Sequence, residues 1–252
     1  MKMSNKKEFF AGIIIIGNEI LSGRTKDLNT SIISKWLNSI GIKVTEVRVI
    51  PDIETIIIQH VKEFSQKFDY VFTSGGIGPT HDDITAESIS KAFDLKYEIH
   101  KKAFKILEKY YGVENFNEGR QKMVWMPTNA KLILNPSSGA PGFSVENVFC
   151  LPGVPSILES MLPELKDKLV GGKPILSKTI SLITVESEIA KPLRLIQENN
   201  KNVDIGSYPF FRKGKIGVSI VLRSEDNSKI NICNKQILDF VNKKNIQIII
   251  NE

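Results

Sequence analysis

The chain has few of the residues that build disulfide frameworks and zinc sites. Its 252 residues include two cysteines, Cys150 and Cys233, which lie far apart in apolar stretches. We therefore expect free, buried thiols, as in proteins of a reducing compartment. The three histidines, His60, His81 and His100, make no zinc-ligand spacing with the cysteines. A disulfide scaffold and a Cys/His zinc module are therefore excluded.

The sequence also lacks a membrane-spanning run and a targeting signal. Residues 11–16 are apolar, but a transmembrane helix needs about 20 apolar residues in a row. Residues 1–8 are basic and polar, and no apolar core with a cleavage site follows them. We therefore expect a cytoplasmic protein that does not bind membranes.

Arginine is scarce in a chain of net charge +6 with 34 basic residues. Nucleic-acid readout favours the planar, bidentate guanidinium of arginine, and the lysines here are scattered along the chain. The sequence therefore indicates no nucleic-acid partner, although anionic small molecules remain suitable ligands. The arginines are Arg24, Arg48, Arg120, Arg194, Arg212 and Arg223.

Strand and helix patterns alternate in the first two thirds of the chain. The β-branched run Ala11–Ile16 is typical of a strand buried on both faces of a parallel sheet. The alternation predicts a doubly wound, mostly parallel α/β sheet with right-handed crossovers. Strands are expected at 11–16, 44–50, 69–73, 131–134 and 148–151, with helices at 28–40, 53–64, 83–93 and 156–169 and two helical pieces within 98–126.

Gly171-Gly172-Lys173-Pro174 marks a boundary between two predicted domains, residues 8–170 and 174–252. The second domain shows strand, helix, strand, strand, helix and strand patterns in that order. This order predicts a small α+β domain of the ferredoxin-like, split βαβ type.

The central feature of the first domain is Ser74-Gly75-Gly76-Ile77-Gly78-Pro79-Thr80, which follows the strand at 69–73. The turn has neither the Lys-Ser/Thr ending of a P-loop nor the glycine spacing of a dinucleotide fingerprint. What remains is a glycine turn whose N–H groups can face an anion. Ser74 and Thr80 are further donors.

Two interpretations of the residues after this turn stay open on the residues alone. Thr80-x-x-Asp83 fits a capping box at the start of a helix, which stabilises it by about 1 kcal/mol. The adjacent carboxylates of Asp82 and Asp83 instead favour a hard-cation site. Capping needs only one of them, and a bound metal would relieve their repulsion.

Three further loops leave predicted strands and are expected near the same edge of the sheet. They are residues 17–27, 135–142 and 152–155. The first loop contains Glu19 and Asp27, and on the residues alone Asp27 is best explained as a cap of the helix at 28–40, while Asn29, one turn inside, is placed to reach a ligand. In the second, Asn135, Ser137 and Ser138 precede small residues that let a ligand approach the backbone, unless this is an ordinary Pro/Gly connection.

Four ordered motifs resemble one protein family. Gly17-Asn18-Glu19-Ile20-Leu21 with Asp27-Leu28-Asn29 is similar to the opening motif of the MoaB/Mog molybdopterin-binding superfamily. Ser74–Thr85, with the form GGxGPTxDDxT, resembles the branch typified by the N-terminal part of competence/damage-inducible protein A, CinA. The APG turn within 135–142 and Leu151-Pro152-Gly153-Val154-Pro155 match later motifs of that branch. The resemblance spans about residues 8–170.

The resemblance implies a three-layer α/β fold and a pyrophosphatase that cleaves ADP-ribose, FAD or a related dinucleotide, with Mg²⁺, Mn²⁺ or Co²⁺ and often potassium. It implies Asp82 and Asp83 as catalytic residues near the metal, together with Glu19 and Asp27, and one carboxylate that orients or deprotonates the attacking water. The expected substrate-binding residues are Ser74, Gly75, Gly76, Gly78, Thr80, Asn29, Asn135, Ser138, Gly139, Pro152 and Gly153.

An alternative from a different class stays open: a protein that binds molybdopterin or a nucleotide, or transfers an adenylyl group, without pyrophosphatase activity. Either way the expected partner is a small nucleotide or pterin ligand, and relatives commonly form homodimers or trimers. Full-length relatives also carry a C-terminal deamidase. Because 252 residues leave no room for that domain, we do not expect deamidation.

Overall fold

The computed structural model describes residues 8–212 and 214–249. Within them the chain divides into two compact units, which separate between Gly172 and Lys173. Among the described residues, no helix has both the length and the apolar character needed to cross a bilayer.

The first unit contains strands and helices in alternation. Its strands are β1 (Phe9–Ile16), β2 (Ile42–Ile50), β3 (Tyr70–Ser74), β4 (Tyr97–Ile99), β5 (Trp125–Pro127), β6 (Lys131–Ile133), β7 (Gly142–Val145) and β8 (Val148–Leu151). Its α-helices are α1 (Asn18–Leu21), α2 (Asn29–Ser39), α3 (Glu54–Lys67), α4 (Thr85–Ala92), α5 (Lys101–Tyr111), α6 (Glu118–Lys122) and α7 (Pro155–Met161). Short 3₁₀ helices cover Val113–Asn115 and Leu162–Lys168.

The main sheet has the strand order β2-β1-β3-β8-β7-β6. Strands β2, β1, β3 and β8 are parallel to their neighbours, and β7 pairs antiparallel with both β8 and β6. Strand β6 therefore runs in the same direction as the parallel group. This topology confirms the expected mostly parallel sheet.

The central strand β1 explains the three layers. Ile14 and Ile16 pack into one hydrophobic cluster with Val61 of α3 and Ile89 of α4. Ile13 packs into a second cluster, on the other face, with residues of α2 and α7. A continuous apolar strand is what such a position requires, because both of its faces are covered by helices.

The second unit contains β9 (Leu176–Ile183), α8 (Glu186–Asn199), β10 (Asp204–Arg212), β11 (Lys215–Ser224), α9 (Asn227–Lys243) and β12 (Gln247–Ile249). Its sheet is antiparallel with the order β10-β11-β9-β12. The element order and the sheet order confirm the ferredoxin-like plan. A separate core, which includes Leu182, Leu222 and Ile237, stabilises this unit.

One local prediction was wrong and another was incomplete. The helix expected to begin at Asp83 begins at Thr85, because the Asp83 carboxylate accepts the N–H of Thr80 and closes a turn ahead of the helix. The capping-box interpretation is therefore wrong as a helix start. The region 98–126 does hold two helical pieces, α5 and α6, but it is framed by the antiparallel strands β4 and β5. Strands of three residues show no period that a sequence pattern can reveal.

Candidate functional site

The loops singled out in the sequence leave the sheet at one edge. Strands β1, β2, β3 and β8 are parallel, and β6 has the same direction, so their carboxyl ends lie on the same side of the sheet. The loops that begin at Gly17, Pro51, Gly75, Leu134 and Pro152 follow these ends. This edge is where open α/β sheets place their ligands.

A cavity of about 550 Å³ lies among these loops. Its volume is within the usual range for a small-molecule site. It brings together residues from all four loops that the sequence grouped. The expected site residues that line it are Glu19, Gly75, Gly76, Gly78, Asp82, Asp83, Asn135, Ser138, Pro152 and Gly153.

The glycine turn forms one wall of this cavity. Gly75 has φ 108° and Gly76 has φ 68°, backbone conformations that other residues rarely adopt. The Gly75 N–H donates to the Leu151 carbonyl at 3.1 Å, which ties the turn to β8. Within the described residues, the N–H groups of Gly76, Ile77 and Gly78 donate to no protein acceptor. These three donors are available to an anion.

Two carboxylates stand close together at the end of the turn. The Thr80 hydroxyl lies 2.6 Å from an oxygen of Asp82 and 2.5 Å from an oxygen of Asp83. One hydroxyl has one proton, so it cannot fully satisfy both carboxylates. The Thr80 hydroxyl, followed by the backbone N–H of Asp82 itself, lowers the pKa of Asp82, and the charges of His81 and Lys122 add to this. Asp82 therefore stays ionised at neutral pH and below.

The cavity is acidic. Glu19 and Asp52 line it together with Asp82 and Asp83, and of its lining residues within the described chain, none is lysine or arginine. Lys122 lies just outside, where its ammonium donates to the Thr80 carbonyl. A phosphate group bound at the glycine turn would therefore meet like charge, which disfavours the ionised form of either partner.

The carboxylates fit a cation only together with further ligands. Among the described residues, no three or more His, Cys, Asp and Glu side chains are grouped to hold a metal ion. Magnesium is usually bound by one or two carboxylates plus substrate phosphates and water. The paired carboxylates of Asp82 and Asp83, with Glu19 on the same cavity, fit that mode of binding.

Asn29 and Ser74 lie beneath the site. Asn29 is buried, and its amide nitrogen donates to the Ser74 hydroxyl at 2.8 Å and to the Gly153 carbonyl at 2.7 Å. The Ser74 hydroxyl in turn lies 3.1 Å from the Pro152 carbonyl and donates to it. These bonds join the start of α2 and the end of β3 to the loop after β8. Neither Asn29 nor Ser74 is among the described residues that line the cavity, so both support it without lining it.

We predict that Asn29→Ala lowers the free energy of unfolding by about 1–3 kcal/mol, because it removes the buried hydrogen bond to the Ser74 hydroxyl and the partly buried one to the Gly153 carbonyl. Urea unfolding followed by tryptophan fluorescence measures this. Asn38→Ala, on the same helix α2, is the matched control and is expected to change stability by less than about 0.5 kcal/mol. Equal effects of the two substitutions would contradict the role given to Asn29.

The loop after β6 is shaped by Asn135. Its side-chain oxygen accepts the N–H groups of Ser137 and Ser138 at 2.9 and 3.0 Å, and its nitrogen donates to the Ser138 hydroxyl and the Ala140 carbonyl. Gly139 has φ 75°, and a Cβ there would lie 2.7 Å from the ring of Tyr110. This loop is therefore an ordered wall, with Asn135 and Ser138 on the cavity and Gly139 turned away from it.

Asp27 and Thr80 are placed differently from the other expected residues. One Asp27 oxygen accepts the N–H groups of Asn29 and Thr30 at 2.8 and 3.2 Å, so this carboxylate caps α2. Neither Asp27 nor Thr80 is among the described residues that line the cavity. The structure therefore gives Asp27 a capping function, and its assignment to a metal stays a prediction.

The sequence did not single out some residues of the cavity. Asp52 follows β2, and its carboxylate accepts the N–H of Asn18 at 2.8 Å. The same rule about strand ends could have identified it. Met123, which follows α6, also lines the cavity. No local signal marks it, because Met123 follows a short helix and not the carboxyl end of a strand of the parallel group.

Geometry and comparisons with known proteins agree on the class of protein. The structure is a three-layer α/β protein with a cavity at the carboxyl edge of its sheet. A family model described as a probable molybdopterin binding domain matches residues 12–171. A second model, described as the middle domain of FAD synthase, matches residues 174–248.

Individual relatives cover most of the chain. A protein of Archaeoglobus fulgidus is 34% identical over 92% of this chain and 98% of its own length. A Saccharolobus islandicus protein is 34% identical over 78% of each chain. The crystal structure of CinA from Thermoplasma acidophilum, a protein of unknown function, is 33% identical with a TM-score of 0.59, and it covers 63% of this chain and 98% of that one. The chain belongs to the MoaB/Mog-like molybdopterin-binding domain family and is of the MoaB/CinA type.

Proposed function

We propose that this protein is a metal-dependent pyrophosphatase that hydrolyses ADP-ribose, FAD or a related dinucleotide. The observation that carries the proposal is the make-up of the cavity. Unpartnered N–H groups of Gly76, Ile77 and Gly78 share it with the carboxylates of Asp82 and Asp83. The first set favours a phosphate anion and the second a hard cation. A pyrophosphate with its cation satisfies both.

The residues have separable tasks in this reaction. The amides of the glycine turn bind the pyrophosphate oxygens and favour the charge that develops on them. Asp82 or Asp83 orients or deprotonates the attacking water. The oxygen of that water forms a bond to one phosphorus, the bridging P–O bond breaks, and two monophosphates leave. For ADP-ribose these products are AMP and ribose 5-phosphate.

The cation belongs at the carboxylate pair. Asp82 and Asp83 would hold it, with Glu19 on the same cavity. A divalent ion such as Mg²⁺, Mn²⁺ or Co²⁺ supplies charge neutralisation of the pyrophosphate. Asp27 is less suited to this task, because its carboxylate is engaged by backbone N–H groups.

A second candidate is a binding protein that holds a molybdopterin or nucleotide phosphate without cleaving it. The match to a molybdopterin binding domain favours it. The same glycine turn would bind the phosphate of such a ligand. Cleavage, and not binding, therefore separates the two candidates.

The test incubates purified protein with ADP-ribose or FAD and Mg²⁺, Mn²⁺ or Co²⁺, and separates the products by chromatography. We expect AMP with ribose 5-phosphate, or AMP with FMN, and no product when EDTA is present. AMP as the starting compound is the matched control and is expected to stay intact, because it has no pyrophosphate bond. Failure of every metal to support cleavage, with a phosphorylated pterin bound tightly, would replace the first candidate by the second.

A further inference from the structure

Beside the main cavity lies a recess with an aromatic wall, formed by Tyr97 of β4 and Trp125 of β5. Their ring centroids are 5.5 Å apart and the rings are tilted by 44°. Trp125 pairs with Ile99 across the two short strands, which fixes the backbone that carries the indole. Trp125 is 37% exposed. An exposed indole backed by a second ring offers a flat surface on which a planar ring can stack.

The rest of the recess is polar and carries two carboxylates. Its volume is about 360 Å³, and Glu87, Glu118, Gln121 and Lys122 line it with the two rings. The Lys122 ammonium donates to the Thr80 carbonyl. Glu87 lies 2.8 Å from the ammonium of Lys91. Carboxylates are hydrogen-bond acceptors only, so the rim is suited to a planar heterocycle that carries an amino group. Burial, with the charge of Glu87, raises the pKa of Tyr97 to about 12, so its hydroxyl stays neutral.

The recess adjoins the glycine turn. A narrow crevice of about 10 Å³ shares Gly78 and Asp83 with the main cavity. The same crevice shares Lys122 and Trp125 with the aromatic recess. The crevice therefore borders both sites, and Lys122, on the side of the recess, donates from its ammonium to the Thr80 carbonyl. A ligand that spans this boundary would place one end on the aromatic wall and its phosphates at the glycine turn.

We propose that the recess of Tyr97 and Trp125 is a subsite for the amino-substituted purine of a nucleoside diphosphate whose phosphates lie at the glycine turn. This inference rests on the proposed function for the position of the phosphates. It adds a specificity determinant to the reaction, because stacking recognises the ring and the acidic rim recognises the exocyclic amine. Inosine diphosphate, which lacks that amine, is therefore expected to bind more weakly than adenosine diphosphate.

Tryptophan fluorescence tests the subsite directly, because the chain has two tryptophans. Trp36 packs against Phe72 on the other face of the sheet, so Trp36→Phe is the matched control. We expect ADP with Mg²⁺ to quench the wild type and Trp36→Phe, but not Trp125→Phe. Trp125→Ala is expected to raise the Kd for ADP by about 5- to 100-fold, and calorimetry measures this. Circular dichroism verifies that each variant is folded.

The outcomes separate this inference from the proposed function. Quenching that persists in Trp125→Phe, or equal affinity of the wild type for ADP and IDP, would overturn the subsite. If Trp125→Ala cleaves ADP-ribose with an unchanged KM, the pyrophosphatase stands and the subsite is refuted. If ADP quenches Trp125 but no dinucleotide is cleaved, the subsite stands and the proposed hydrolysis is refuted.

Discussion

Replacing Asp83 by asparagine is expected to lower the turnover of ADP-ribose by about 10³-fold. The change removes one of the two carboxylates that converge on the Thr80 hydroxyl, while it keeps the size of the side chain. The remaining charge of Asp82 is then left to bind the cation and to act on water alone. The measurement is kcat and KM over a range of Mg²⁺ concentrations, in which the variant is also expected to need more metal.

The control for this substitution is Asp167→Asn. Asp167 is exposed and lies on the 3₁₀ helix Leu162–Lys168, away from the cavity. The variant Asp167→Asn makes the same chemical change at a distant position, and we expect it to keep wild-type turnover. An Asp83→Asn protein that is folded and fully active would show that the carboxylate pair has no part in the reaction.

Gly75→Ala is expected to lower the free energy of unfolding of the first unit by about 2–4 kcal/mol and to abolish ligand binding. A Cβ at this position would lie 2.1 Å from the carbonyl oxygen of Ile16, and φ is 108°. The oxygen belongs to the backbone of β1, so the turn and the strand must separate. Because Trp36 and Trp125 both lie in the first unit, fluorescence during urea unfolding reports on that unit.

Gly23→Ala separates the cost of a positive φ from the cost of the close contact with β1. Gly23 also has a positive φ, 73°, but a Cβ there has no atom within 4 Å. We therefore expect Gly23→Ala to lower the free energy of unfolding by about 1 kcal/mol, which is the cost of a positive φ in a residue with a Cβ. If both substitutions have the same effect, close approach of the turn to β1 does not stabilise the site.

Much of the fold could be predicted from local patterns. The continuous apolar run Ala11–Ile16 indicated a strand covered on both faces, and the structure places helices on each side of it. In the second unit, the alternating strand and helix patterns were sufficient to predict the order of the elements. The short strands β4 and β5 could not be predicted, because each is stabilised by a partner about 28 residues away in the chain.

The site was predictable as a set of loops more than as a set of side chains. The rule that ligands gather at the carboxyl ends of strands grouped loops that do share one cavity. Which side of a loop a residue faces is decided by packing. Asn29 looked like a ligand contact because it is a polar residue within an apolar helix pattern, yet its amide joins Ser74 to Gly153 beneath the cavity. The aromatic recess gave no signal in the sequence, since Tyr97 and Trp125 meet only through strand pairing.

The most direct test of hydrolysis at the glycine turn follows the oxygen atom of the attacking water. Wild-type protein, Asp83→Asn and Asp167→Asn are incubated with ADP-ribose and Mg²⁺ in ¹⁸O-labelled water. The masses of the products are then measured by mass spectrometry. We expect AMP and ribose 5-phosphate, with one ¹⁸O atom in one of the two monophosphates, from the wild type and Asp167→Asn, and about 10³-fold less product in the same time from Asp83→Asn. Intact, unlabelled ADP-ribose in the wild-type reaction, under conditions in which the protein binds it, would contradict hydrolysis at the glycine turn.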